Sequence, residues 1–268
     1  MNIEIIVGCD MHPQQVAEFA VEAEQAGVRT LWHSNLPNGW DPFIGLSQAA
    51  LATNRIRLGV LALSPYEMHP VRIAYSIISL NELARGRAVI GLGGGGAMAL
   101  ATTGRAKDEN LDFRGMRIVR GVREAAEIIY RMSTGEFYRG YEGEVFSVRQ
   151  PFRLRHVTFP RPRIITCSMG PQMLRMGGRV ADGVQVGDVT AGRLAEVFGN
   201  RAGGLETVEV AAFVAGIDAL EVDHAVRRAA GVALRQEADR LAAGGVANGD
   251  DVHADAEQAV DDLLAGRA

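Results

Sequence analysis

A run of glycines at 91–96 (GLGGGG) follows an apolar, strand-like stretch and fits the pattern G-x-G-x-x-G through Gly91, Gly93 and Gly96. A dinucleotide site of that kind also needs a helix that opens directly on the pyrophosphate and a carboxylate about 20 residues further on, at the end of a second strand. Asp112 has the spacing but stands in KDENLDFRG, which does not read as a strand. Two broader readings stay open: the glycines let backbone approach a planar or phosphorylated ligand without interference from a Cβ, or they make a tight turn that binds nothing.

SMGPQMLRMGG at 168–178 follows a second apolar stretch and leads into a helical pattern from Pro171. Ser168, Met169, Gly170 and Pro171 therefore stand at a helix start, where peptide N–H groups and the helix dipole favour an anion such as phosphate. The plain alternative is a strand-to-helix corner with Ser168 as its cap. The loop SPYEMHP at 64–70 places Tyr66, Glu67 and His69 after the longest apolar strand, and HSN at 33–35 ends another, so Asn35 is a candidate lining residue. Pro70 is read as a first-turn proline. The six histidines show no HxH or HExxH spacing and no GxSxG occurs, which argues against a metal site and against serine hydrolysis.

The elements that must position these groups repeat. Strand-like stretches at 3–7, 29–32, 56–63 and 87–92 are each followed by apolar residues at helical spacing, at 13–26, 42–53, 70–83 and about 116–132. Four such units in a row predict parallel strands with crossover helices. Further strands are expected at 164–168, 183–186 and 208–214, with helices at 171–180, 191–198 and about 218–243. Residues 134–161 carry alternation, glycines and aromatics, and read as an insertion over one end of the sheet.

The expected fold is α/β, a TIM-type (β/α)8 barrel in a single domain over 1–268, with a helical, acidic C-terminal segment at about 218–268. Its length of 268 residues suits a barrel of typically about 250 residues better than an open doubly wound sheet. Only seven strands are legible, so an atypical or incomplete C-terminal closure is expected.

Composition narrows the function classes. With 28 Lys plus Arg against 32 Asp plus Glu, the formal net charge of −4 excludes a nucleic-acid binder that relies on a strongly basic surface. Two cysteines far apart, Cys9 and Cys167, suggest neither a disulfide framework nor a zinc site. The absence of a leader-like N-terminus and of a long apolar run leads us to expect a soluble, cytoplasmic protein.

AEQAGVRTLW (23–32), RIRLGVLALSPYEMHP (55–70), ISLNELARGRAVIGLGGGG (78–96), MGPQMLRMGGRVADGV (169–184) and VEVAAFVAGID (208–218) together resemble the luciferase-like flavin and deazaflavin oxidoreductases, and within them the methylenetetrahydromethanopterin reductases. The resemblance implies a barrel that binds coenzyme F420, a deazaflavin, or in related members FMN, at the C-terminal ends of the strands. It implies a bulge with a non-proline cis peptide in the third strand, which places Leu61, Ala62, Leu63 and Ser64 under the ring. Gly91, Gly93, Gly94 and Gly95 would approach the cofactor, and Ser168, Met169, Gly170 and Pro171 would hold its phosphate.

Hydride exchange between the deazaflavin and a small organic substrate is the implied reaction, with a methylenetetrahydropterin-type C1 carrier as one substrate class. Asn35, Glu4 and His69 are the candidate catalytic residues. Where the family carries an acidic residue, often followed by His, this chain has Asn35 and Leu36; an amide can hydrogen-bond a ring but cannot act as a general acid or base near neutral pH. Where reductases of this group place a carboxylate on the first strand, this chain has Ile6, with Glu4 two residues earlier on the same face. An FMN-dependent monooxygenase and a non-catalytic cofactor-binding relative are the competing readings. Apolar helices at 42–53 and 70–83, together with the resemblance, lead us to expect a homodimer.

Overall fold

The computed structural model describes residues 4–95, 116–151, 153–167, 170–186 and, as backbone, 208–209. In chain order the elements are β1 (Glu4–Val7), α1 (Pro13–Gln25), β2 (Thr30–Ser34), α2 (Pro42–Ala52), β3 (Arg57–Leu63), α3 (Pro70–Leu83), β4 (Ala88–Leu92), α4 (Ile118–Met132), β5 (Tyr141–Glu142), β6 (Ser147–Val148), β7 (Arg163–Cys167), α5 (Pro171–Val180), β8 (Gly183–Gln185) and β9 (Val208–Glu209). One sheet runs β1-β2-β3-β4-β7-β8-β9, every pair in it parallel. Successive parallel neighbours joined by outer helices make a TIM-type barrel.

Period-two alternation sorts the strand residues into two layers. Ile5, Val7, Leu31, Leu58, Val60, Ile90 and Ile164 face outward and share one core with the helices. Ile6, Trp32, Val89 and Ile165, with Leu61 against them, form a separate cluster inside the barrel. The registers Ile6↔Trp32↔Gly59↔Val89 and Gly91↔Ile165 place neighbouring strands side by side in that inner layer.

Proline opens four of the helices. Pro13, Pro42, Pro70 and Pro171 each occupy a first-turn position, where the missing N–H costs nothing. The caps before the first three are side chains: His12, Asp41 and His69 accept backbone N–H groups of their own first turns. At the far end of α2, the Arg87 guanidinium donates to the carbonyls of Ala50, Thr53 and Ile56, tying the helix's last turn to the start of β4.

The insertion at 134–161 is tied to α3 and α4 by hydrogen bonds, and its Phe146 meets Tyr66 and His69 beyond the end of β3. β5 and β6 form a small antiparallel hairpin. The buried Glu124 carboxylate of α4 accepts the backbone N–H groups of Glu144, Val145 and Phe146 at 2.8, 3.0 and 2.9 Å. On the return, Glu82 of α3 accepts the N–H groups of Thr158 and Phe159 at 3.0 and 3.1 Å, and Asn81 Nδ2 donates to Pro160 O at 2.8 Å.

β2 runs on to Ser34, past the expected stop at Trp32. The helices expected at 191–198 and about 218–243, the remainder of the strand expected at 208–214, and the closure of the barrel lie outside the described residues.

Candidate active site

At the C-terminal ends of the central strands, β2, β3 and β4 are cross-linked by groups just beyond their last pairs. Asn35 N donates to Leu61 O at 2.7 Å, and Gly93 N donates to Leu63 O at 2.9 Å. Between Val60 and Leu63 the register of β3 against β4 shifts, and the Leu61–Ala62 peptide is cis. That break in the ladder leaves Leu61 and Ala62 half-buried between the fully buried Val60 and Leu63, so they offer apolar surface at the mouth.

The Asn35 side chain binds this bulge once more and also reaches the loop that follows β3. Its Nδ2 donates to Ala62 O at 3.4 Å and to Glu67 Oε2 at 3.2 Å. Burial pushes the Glu67 carboxyl above the usual range, and the bonds from Ser64 N and from Asn35 only partly offset it. The loop that carries Glu67 is closed by Ser64, whose carbonyl accepts the N–H groups of Glu67 and Met68 while its Oγ accepts that of Tyr66. Ser34 precedes Asn35 beside Leu61 in the register, and its buried Oγ has no hydrogen-bond partner among the described residues.

The glycine run closes one wall. A Cβ on Gly91 would lie 2.7 Å from Cys167 Sγ and 2.9 Å from Leu61 Cβ, so only glycine lets β4 sit this close to the bulge and to β7. Gly95 has φ of +87°, a left-handed conformation that suits glycine. On the neighbouring β7, Cys167 Sγ donates to Gln185 Oε1 of β8 at 3.1 Å, and burial pushes its thiol up to about 12, so it stays protonated at neutral pH. α5 starts at Pro171 behind Gly170, a cap without a side-chain hydrogen bond and with open space where a Cβ would be. Ser168 and Met169 lie outside the described residues.

The structure thus brings Asn35, Leu61, Ala62, Gly91, Gly93, Gly94 and Gly95 to one mouth, and it places the side chains of four other candidates in other surroundings. Leu63 faces outward into the helix core, and the fully buried Ser64 is spent on its own loop, so each serves the site through backbone. Glu4 opens β1 at the other end of the barrel, level with Thr30 and Arg57; its carboxylate accepts from Thr30 Oγ1 at 2.8 Å and from Trp32 Nε1 at 2.7 Å. It lies on the barrel floor, because the other three residues of β1 separate it from the strand's C-terminal end. His69 is the N-cap of α3: its Nδ1 accepts from Val71 N at 3.2 Å and its ring meets Phe146 edge-on at 5.6 Å. Burial lowers its pKa, which suits the neutral ring that capping requires.

Glu67 is the group whose role residue types alone did not single out. Its loop reads as a possible lining segment, but no spacing in the sequence ties position 67 to position 35. A cavity of about 480 Å³ lined by Glu24, Arg29, Arg55 and Arg57 lies at the N-terminal ends of β2 and β3, the end of a barrel that serves stability and not catalysis.

The residues present fit a planar heterocycle. Half-buried Leu61 and Ala62 supply an apolar face, Asn35 and Ser34 supply polar contacts beside it, and the glycines leave room for close approach. Among the described residues no cluster of His, Cys, Asp and Glu could hold a metal ion, and no helix is long and apolar enough to cross a membrane.

Comparison with known proteins gives the same frame. The 5,10-methylenetetrahydromethanopterin reductase of Archaeoglobus fulgidus is 28% identical over 178 residues, which cover 66% of this chain and 50% of that protein. The chain spans about half the length of the curated relatives it matches. The coenzyme F420 dependent tetrahydromethanopterin reductase of Methanopyrus kandleri superposes with a TM-score of 0.62 at 22% identity, covering 99% of this chain and 81% of that one. The oxygenating constituent of 3,6-diketocamphane monooxygenase from Pseudomonas putida, solved in complex with FMN, also gives 0.62 at 21% identity, covering 78% of this chain and 66% of that one. Residues 5–265 match the luciferase-like monooxygenase family, and a match of that length, on a parallel barrel with a bulged third strand, means that the chain belongs to it.

Proposed function

We propose that this chain acts as an F420-dependent oxidoreductase, transferring a hydride between the deazaflavin and a small organic substrate. The observation that carries the reading is the Asn35 side chain joined to the bulge of β3 at the barrel mouth. The curated relatives include an F420-dependent glucose-6-phosphate dehydrogenase, 30% identical over 180 residues, and this likeness supports the deazaflavin reading.

When bound, the deazaflavin supplies a hydride donor or acceptor at its central ring carbon. Leu61 and Ala62 hold the ring by apolar contact, and Asn35 fixes one edge by hydrogen bonding. The N–H groups at the start of α5, behind Gly170 and Pro171, would hold the phosphate. Gly91, Gly93, Gly94 and Gly95 admit the cofactor alongside β4. The protein positions two reactants and keeps water out, which is the principal catalytic contribution a cofactor enzyme makes. Phe146, carried by the insertion against Tyr66 and His69, helps to shield the loop beside the bulge.

A methylenetetrahydropterin-type C1 carrier is the substrate class to try first, because a relative of that name matches two thirds of the chain. Likeness to an FMN-bound monooxygenase favours FMN as the second cofactor reading. A homodimer through α2 is part of the proposal: Ile44 and Leu51 stand 54% and 72% exposed on one side of that helix.

Equilibrium titration of the apo-protein with F420 and with FMN, followed by fluorescence quenching, tests the reading. Micromolar or tighter F420 binding without a comparable FMN signal is expected. FMN preference would move the chain to the monooxygenase reading, and binding of neither would overturn both.

A further inference from the structure

We propose that Glu67 is a positioning residue of this mouth, acting through Asn35: its ionised carboxylate turns the amide so that Nδ2 faces the protein and Oδ1 faces the ligand, and the site therefore receives a heterocycle through a ring N–H. The proposal rests on the cofactor reading of the same mouth and adds the sense of its polar contact.

The geometry allots both hydrogen-bonding needs of the amide nitrogen to the protein. Nδ2 has two hydrogens, and two acceptors face it, Glu67 Oε2 at 3.2 Å and Ala62 O at 3.4 Å. Among the described residues no donor takes Oδ1, which is left as the atom available to a ligand, and it can only accept. Ala62 O accepts in any state of the site, so the group that can reverse the arrangement is Glu67. As a carboxylate it accepts from Nδ2; as a carboxylic acid it gains an O–H that can donate to Oδ1, and the amide is then free to turn and present Nδ2 to the mouth.

Glu67 is not needed to close its own loop. Ser64 O and Ser64 Oγ already take the N–H groups of Tyr66, Glu67 and Met68, and the bond from Ser64 N to Glu67 is long at 3.4 Å. Nor is the carboxylate in an ion pair: among the described residues no Lys, Arg or His reaches it, and its polar neighbours are Ser64 and Asn35. Of the groups packed nearby, β2 contributes the neutral Asn35, β3 contributes backbone, and His69 on the same loop is turned to Val71 N and Phe146. A half-buried carboxylate that meets no cation among the described residues and is bonded to an amide at the mouth is the arrangement expected of a group that sets that amide's direction.

The test uses the whole chain. In ¹⁵N-labelled apo-protein the Asn35 side-chain NH₂ pair is assigned by its loss in Asn35→Asp, then followed from pH 4.5 to 8. The pair is expected to shift with one transition above the ordinary Glu range of about 4.3, and that transition is expected to vanish in Glu67→Gln. F420 affinity in the wild type should fall as pH drops through the same transition, whereas Glu67→Gln should be about five-fold weaker at pH 7.5, the scale of one lost hydrogen bond, and flat with pH.

An Asn35 pair that does not titrate overturns the proposal whatever the protein binds, and so does a titration that persists in Glu67→Gln. If Glu67→Gln does not fold, the wild-type NMR titration decides alone. A titrating pair in a protein that binds neither F420 nor FMN supports the coupling of Glu67 to Asn35 and overturns the cofactor reading instead.

Discussion

Trp32 Nε1 donates to Glu4 Oε2 at 2.7 Å, inside the barrel and at the end away from Asn35. With Thr30 Oγ1 on the other carboxylate oxygen, Glu4 holds the inner faces of β1 and β2 in register. Glu4→Gln keeps the volume but removes the charge and leaves one acceptor oxygen for two donors, Trp32 Nε1 and Thr30 Oγ1. We expect a loss of about 1–3 kcal/mol in urea unfolding, the scale of a hydrogen bond to a charged group, with F420 affinity changed less than two-fold. A ten-fold loss of affinity at unchanged stability would return Glu4 to the site.

The fate of Glu4 shows where sequence reasoning stopped. Period-two alternation and proline-led helices made the barrel legible, because each is a local signal: Val60 and Ile90 alternate with Gly59 and Gly91, and Pro13, Pro42, Pro70 and Pro171 mark helix starts without any tertiary information. Side-chain parity placed Glu4 and Ile6 correctly on one face. What it could not give was height along the barrel, which depends on the stagger between strands. Likewise 35 and 67 are linked only once the bulge in β3 turns the Ser64 loop back over the end of β2, and the outward turn of Leu63 follows from that same shift in register.

Glu124 predicts how the insertion is held. The carboxylate is 1% exposed and accepts three consecutive backbone N–H groups, those of residues 144–146. Glu124→Ala would leave these donors without a partner and open space beneath them. The expected cost is about 2–4 kcal/mol, since each bond to a charged acceptor is worth more than a neutral one but neighbouring bonds are not additive. Limited proteolysis should then cut first within 141–148, before any site in α1–α3, and equal cutting elsewhere would argue against a local clamp. Because Phe146 rests on Tyr66 and His69, substrate KM should rise more than the cofactor Kd.

Arg161 and Asp182 give a pH prediction. They form a two-pronged pair, both bonds 2.6 Å, and Asp182 Oδ2 also accepts from Ile164 N at 2.8 Å. Burial alone would raise the Asp182 pKa, but the bonds from Arg161 and Ile164 outweigh it and hold the carboxyl below its usual value. A depressed folded pKa means that the stabilisation is present above the unfolded value of about 3.9 and is lost as pH falls through the folded one. Asp182→Asn should therefore be less stable than the wild type at pH 7 by about 1–2 kcal/mol, a figure reduced for the partial exposure of both side chains. The gap should narrow only below about pH 4. Urea unfolding at pH 7, 5 and 3.5 checks it; a gap that closes by pH 5 would contradict the pairing.

Gly91 tests whether close approach at the mouth serves packing alone or also the ligand. A methyl group added at this position would sit 2.7 Å from Cys167 Sγ and 2.9 Å from Leu61 Cβ, both closer than carbon and sulfur side-chain atoms tolerate. Leu61 can give way only by moving the bulge, since its neighbour Val60 is fully buried. Gly91→Ala should cost about 1–3 kcal/mol of stability, as overpacking does, and should weaken F420 binding at least ten-fold if Leu61 and Ala62 form the ring's resting surface. The double variant Gly91→Ala with Cys167→Ala removes the sulfur but leaves the Leu61 contact. It should regain part of the stability, with a coupling of about 0.5–1 kcal/mol, and little of the affinity. Full recovery of both would mean that the sulfur contact alone was responsible and that Leu61 does not carry the ring. Recovery of stability without affinity would separate the two functions of the same glycine, one holding β4 against β7 and the other keeping the surface above the bulge in place.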